Sequence, residues 1–140
     1  LAVRSDPKAE IYREYRQHGF IFRVGKSAEE SDDLLKQSPS DAHWFHVAGS
    51  QGSHVIAIGE RRKAEPTPDV LRMGGILALH FSKLSGERAG EVYISKRQWL
   101  RKGKGMAPGL VTIDRSDTIY VKYTEAELRA ALGVAHDARD

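Results

Sequence analysis

The aromatic and β-branched run Phe20-Ile21-Phe22-Arg23-Val24 reads as a strand, and Trp44-Phe45-His46-Val47 follows the two-residue side-chain period of another. Gly49 to Gly52 then allow the chain to reverse into the apolar run Val55-Ile56, so residues 41–56 read as strand, turn and strand. Trp44, His46 and Ala48 fall on one face of this hairpin, Phe45 and Val47 on the other. A helical period follows. Val70, Met73, Leu77, Phe81 and Leu84 recur at three and four, predicting a long helix capped by Asp69 and ending at Leu84. Gly74 and Gly75 inside it cost about 1 kcal/mol each relative to Ala, which points to close approach of another backbone. Ser27 with Glu30 forms a capping-box pattern for a second helix that runs through Leu34 and Leu35 to Ser38-Pro39-Ser40. Ile11 and Tyr15, four apart and followed by Gly19, predict a short helix over residues 7–18. Three more strands are expected at 91–95, 110–113 and 118–123, the last two joined by the turn Asp114-Arg115-Ser116-Asp117. Thr124 should cap a final short helix stopped by Gly133. These elements predict an α+β single domain, a mainly antiparallel sheet packed against one long helix and shorter helices. It divides into an N-terminal helical segment (1–19), the main domain (20–134) and a flexible tail (135–140).

With 140 residues, 40% hydrophobic and 29% charged, the chain has the composition of a folded soluble domain rather than a disordered segment. It has no cysteine, which excludes disulfides, thiolate metal sites and a cysteine nucleophile. The first residues are too polar for a signal peptide, and no apolar run approaches the roughly 20 residues of a membrane-spanning helix. The expected setting is cytoplasmic, without a membrane partner. A net charge of +3 and an isoelectric point near 9.2 are modest, but the positive charge is concentrated locally.

Lys96, Arg97, Arg101, Lys102 and Lys104 make a cationic ribbon interrupted by Gly103 and Gly105, with Trp99 among them. Such a ribbon is either a solvated face or a phosphate-binding surface in which Lys and Arg release counterions and the indole offers a stacking plane. Gly25-Lys26 before a helix is either a plain strand-to-helix turn or a small anion nest; it is not a Walker loop. Lys83 complements a helix dipole or reaches a phosphate. His46 and His54 face each other across the turn, but two imidazoles without further ligands are a poor zinc site. Ser53, His46 and Asp41 could supply a hydrolytic trio, although no GxSxG elbow accompanies them. Imidazoles bonded to backbone explain the pair with fewer assumptions. No cofactor, metal or catalytic residue is therefore expected.

Several of these residues occur together in one order: Val24-Gly25-Lys26, Trp44-Phe45-His46-Val47, Gly52-Ser53-His54-Val55, Ser82-Lys83, and Arg101-Lys102-Gly103-Lys104-Gly105 leading to Pro108-Gly109-Leu110-Val111. In this order and spacing the chain resembles the NFACT-R family, the RNA-binding module at the C-terminal side of the larger NFACT proteins, as a divergent stand-alone member. It departs from the family pattern at Gln51, usually Pro, and at Ala42, usually Asp. The resemblance implies a non-enzymatic module that binds structured RNA, rRNA or tRNA, in a ribosome-associated or RNA-processing context. The implied contacts are phosphates on Lys26, Lys83, Arg97, Arg101, Lys102 and Lys104, and stacking or hydrogen bonding from Trp44, His46 and His54 around Gly52 and Ser53. The alternatives are a module docking on a ribosomal or RNA-processing protein, and an RNA-modifying enzyme.

Overall fold

The computed structural model describes residues 11–133. The chain runs β1 (Tyr12–Gln17), β2 (Phe20–Gly25), α1 (Ala28–Gln37), β3 (His43–Val47), β4 (Val55–Gly59), α2 (Pro68–His80), β5 (Ala89–Lys96), β6 (Leu100–Arg101), β7 (Thr112–Ile113), β8 (Asp117–Lys122) and α3 (Glu125–Ala131). Six strands form one antiparallel sheet in the order β1-β2-β4-β3-β5-β8, and β6 pairs with β7 in a separate ribbon. This is the expected α+β architecture. Alternation divides the sheet's side chains between two apolar layers. Phe22, Val24, Phe45, Val47, Val55 and Val92 pack beneath Val70, Met73 and Leu77 of α2. Trp44, Ile56 and Tyr12 pack on the other face with Leu34 and Leu35 of α1 and Leu100. Among the described residues, no helix is long and apolar enough to cross a membrane.

The helix expected over residues 7–18 is replaced by β1 wherever the chain is described. His18 (φ 57°) and Gly19 (φ 74°) both take left-handed conformations, those of a two-residue hairpin turn. This turn sets Tyr12 opposite Gly25 and Gln17 opposite Phe20. The spacing of Ile11 and Tyr15 fits a helix, but the following aromatic strand offers a full ladder of backbone partners and decides the matter. Residues 1–10 of the expected helical segment and the tail at 135–140 lie outside the described residues.

Helix α2 is capped by Thr67, whose hydroxyl accepts from the Val70 N–H at 3.3 Å; Pro68 follows at the first helical position and Asp69 sits in the first turn. The helix stops at His80 rather than Leu84. The next residues give their backbone to the glycine loop instead: the Ser53 N–H donates to the Phe81 carbonyl (2.9 Å), and the Lys83 N–H to the Gln51 carbonyl (3.0 Å). The two helix glycines admit side chains rather than a backbone. A Cβ on Gly74 would lie 2.5 Å from Phe45 Cε1, and one on Gly75 2.8 Å from Val121 Cγ2. Residues 110–113 and 118–123 do not form the expected hairpin. Ile119 and Val121 join the α2 layer, so β8 takes the open edge of β5, while Val111 and Ile113 join the opposite layer and β7 pairs with β6. The C-terminal helix follows expectation: Thr124 and Glu127 make a reciprocal capping box, and Gly133 ends it at φ +69°.

Candidate nucleic-acid interface

At one end of the sheet, the end of β2, the β3–β4 loop and the C-terminus of α2 surround an open groove of about 730 Å³. Sterics assemble it. A Cβ on Gly25 would lie 2.8 Å from Ser31 Cα, so only glycine lets α1 close onto β2 and bring Lys26 and Ser27 to the rim. On the far side, Gly52 bridges to Ser82, and a Cβ there would lie 2.8 Å from Ser82 Cβ. This close approach brings Lys83 into the lining of the same groove. The arrangement differs from an anion nest, because the Gly25 N–H donates to the His54 carbonyl (3.1 Å) and the Lys26 N–H to the Ile11 carbonyl (3.2 Å).

The floor is a ring cluster. Trp44 is 1% exposed and stacks under His46, with centroids 5.7 Å apart and planes 10° from parallel, while His46 meets His54 edge-on at 5.0 Å. The Trp44 indole N–H donates to His54 Nδ1 at 2.9 Å, and an indole can only donate. His54 Nδ1 is therefore the bare nitrogen, and Nε2 carries the hydrogen that meets the Gly109 carbonyl at 2.8 Å. Burial, assisted by neighbouring His46, lowers the His54 pKa from its ordinary 6.5 to about 4. Burial likewise lowers the pKa of His46, opposed by the Val47 and Gly52 carbonyls beside its ring nitrogens, and that of His80. With these lowered pKa values the imidazoles favour the neutral, hydrogen-bonding form, and the charge of the groove comes from Arg13, Lys26 and Lys83. Among the described residues, no carboxylate lines the groove.

Of the residues expected at the site, Lys26, His46, Gly52, Ser53, His54 and Lys83 converge on this groove. Trp44 lies beneath it, too buried to stack on a ligand. The basic ribbon lies elsewhere and is largely engaged within the protein. Arg97 donates to the Leu35 carbonyl at 2.6 Å and the Leu100 carbonyl at 3.2 Å. Arg101 makes a forked pair with Asp114 at 2.8 to 3.1 Å. Lys102 reaches Asp32 at 3.2 Å, the Leu110 carbonyl at 2.8 Å and the Ala107 carbonyl. These three line a separate cavity of about 70 Å³, and Lys104 is exposed outside both cavities. Trp99 lies near the Lys96 ammonium (5.2 Å) and the Arg115 guanidinium (4.4 Å). Asp41 lines another cavity with His43, so the trio with His46 and Ser53 is not assembled in one place. Among the described residues, no three His, Cys, Asp or Glu side chains are grouped to hold a metal.

Sequence reasoning gave no site role to Arg13, His80 or Phe81, and it met the lip Pro108-Gly109-Leu110 only as part of the motif order. Arg13 faces the same side of β1 as Tyr15 and lies 5.1 Å above the Phe81 ring. Reading β1 as a strand was the signal that would have found it. Asp32 was also overlooked: both its oxygens accept the Gly109 N–H, at 3.2 and 3.1 Å. Nothing local in the acidic stretch of α1 distinguishes it from Asp33.

On this α+β scaffold the groove gathers residues from the stretches on which the resemblance to the NFACT-R family rests: Lys26, His46, Gly52, Ser53, His54, Lys83 and the lip at Pro108-Gly109-Leu110. No family model matches the chain. Over 104 residues, 74% of its length, it is 29% identical to the Rqc2 homolog RqcH of Bacillus subtilis (strain 168), of which it spans 18%. It also matches the structure of the C-terminal part of the fibronectin/fibrinogen-binding protein (FBPS) from Streptococcus suis, with a TM-score of 0.76 and 27% identity, covering 85% of this chain and 48% of that one. The chain is homologous to RqcH over the aligned span, and both likenesses agree with the NFACT-R-like assignment.

Proposed function

We propose that this domain binds RNA through the groove, without catalysis and without a cofactor. The observation that carries the reading is the convergence of Arg13, Lys26 and Lys83 on a concave surface with no lining carboxylate among the described residues. Cations so placed gain by replacing the counterions around phosphates, while Ser50, Gln51 and Ser53 supply uncharged hydrogen-bonding groups. The relation to RqcH supports a ribosome-associated role; a cytoplasmic setting with rRNA or tRNA as the partner is our reading of the motif resemblance. Because the chain spans a small part of RqcH, the activity of that whole protein is not transferred.

The test is retention of total cellular RNA and ribosomal subunits across a salt series. Lys26→Ala and Lys83→Ala should each weaken binding and lower the slope of log affinity against log salt by about 0.7 to 0.9 for every phosphate no longer neutralised. Arg101→Ala should leave both quantities near wild type, since its guanidinium is committed to Asp114. Unchanged affinity in the Lys26 and Lys83 variants would sink the proposal. A second reading, docking on a ribosomal or RNA-processing protein, draws support from Tyr120, which is 66% exposed on the sheet-edge strand β8. Partner retention that survives ribonuclease would favour it.

A further inference from the structure

The groove has two unlike kinds of lining. Arg13, Lys26 and Lys83 supply its charge, whereas Pro108 and Leu110, in a lip that packs on Ala28 of α1, supply apolar surface. Leu110 is 56% exposed, unusual here for so large an apolar side chain, and the backbone around it is held by several hydrogen bonds. The adjacent Gly109 N–H is bound by Asp32 and its carbonyl by His54, while the Leu110 carbonyl accepts from Lys102. Lys102 and Asp32 are themselves paired at 3.2 Å. An apolar surface held against a cationic groove by this many bonds is a positioned feature rather than a stray loop residue.

We infer that the groove takes an unpaired nucleotide of RNA, its phosphate on the groove's cations and its base or ribose against Leu110 and Pro108. The inference rests on the RNA-binding reading and narrows it. A cavity of about 730 Å³ has the size of a small-ligand site. In an A-form duplex each base face is stacked on its neighbours, leaving base edges, ribose hydroxyls and phosphates accessible, so Leu110 would have no apolar face to cover. A loop, bulge or strand end offers a free base face beside its phosphate. Ser50, Gln51 and Ser53 line the same groove and can meet the polar edge of the base.

The experiment compares, by fluorescence anisotropy, a labelled oligoadenylate with the same strand annealed to its uridine complement. The single strand should bind at least about tenfold more tightly than the duplex. Leu110→Ser should weaken single-strand binding about tenfold with no change in the salt slope, because it removes apolar surface and no charge. Leu110→Met should retain affinity. Lys26→Ala should reduce affinity and slope together. Equal or tighter binding of the duplex, or single-strand binding indifferent to Leu110→Ser, overturns the inference while RNA binding stands. Failure of both RNAs to bind overturns the RNA-binding reading and this inference with it.

Discussion

His54→Asn should remove much of the acid sensitivity of folding. In the folded chain the Trp44 indole requires a bare Nδ1, and the Gly109 carbonyl requires a protonated Nε2, so the neutral tautomer satisfies both. Burial, with His46 alongside, holds the His54 pKa at about 4 against the ordinary 6.5. Between those values an unfolded chain binds a proton that the folded chain refuses. The contribution is therefore complete above pH 6.5, is lost as pH falls from 6.5 to 4, and changes no further below that. The interval corresponds to about 3 kcal/mol. Asparagine does not titrate, and its amide oxygen can accept from Trp44, although it forfeits the bond to Gly109 at a cost of about 1 kcal/mol. Urea unfolding from pH 7 to pH 4, followed by tryptophan fluorescence, measures the effect. Burial also lowers the pKa of His43, His46 and His80, which add to the pH slope of both proteins, so the informative quantity is the difference between them. The stability of wild type relative to the variant should shrink by about 3 kcal/mol across this range. Parallel profiles would refute the assigned tautomer and its burial.

Substitutions at three further positions probe the scaffold. Gly74→Ala should lower stability in urea melts, because the new Cβ would meet the Phe45 ring and overpacking of about 1–3 kcal/mol exceeds the helix-propensity gain of about 1 kcal/mol. Asp32→Asn should speed amide exchange at Gly109 and lower RNA affinity by loosening the lip, while global stability changes by less than about 1 kcal/mol for this partly exposed pair. Unchanged exchange would show that Asp32 does not hold the lip. Thr67→Ala should cost about 1 kcal/mol in thermal or urea unfolding, and Thr67→Ser should restore most of it through the same hydroxyl cap.

The elements most legible in the sequence were those decided by neighbours along the chain. Ser27 and Thr124 cap helices through residues three positions away, and alternation in β3 puts Trp44 and His46 opposite Phe45 and Val47. Lys26, His46, Gly52, Ser53, His54 and Lys83 were likewise legible as a candidate site because their motifs flank the turns that build the groove. The basic ribbon was legible as charge but not as function. Whether Arg97 and Arg101 face a ligand or satisfy a carbonyl and a carboxylate depends on partners that the ribbon itself does not reveal.

By itself, then, the sequence determined the two strand faces, the apolar face of α2, the helix-capping chemistry and the set of side chains available for binding. Tertiary structure decided which of these met. It turned Tyr12–Gln17 into a strand by giving it β2 as a partner, and it sent β7 and β8 to different sheets because their apolar residues join opposite layers. It also joined Asp32 to Gly109, 77 residues apart, and His54 to the same glycine, 55 residues apart, making a fixed lip from a glycine-rich stretch. Caps and alternation act within a turn or two of chain, so local order encodes them. Strand pairing, charge neutralisation and the closing of the groove act between distant segments, and only the folded chain selects among the partners available.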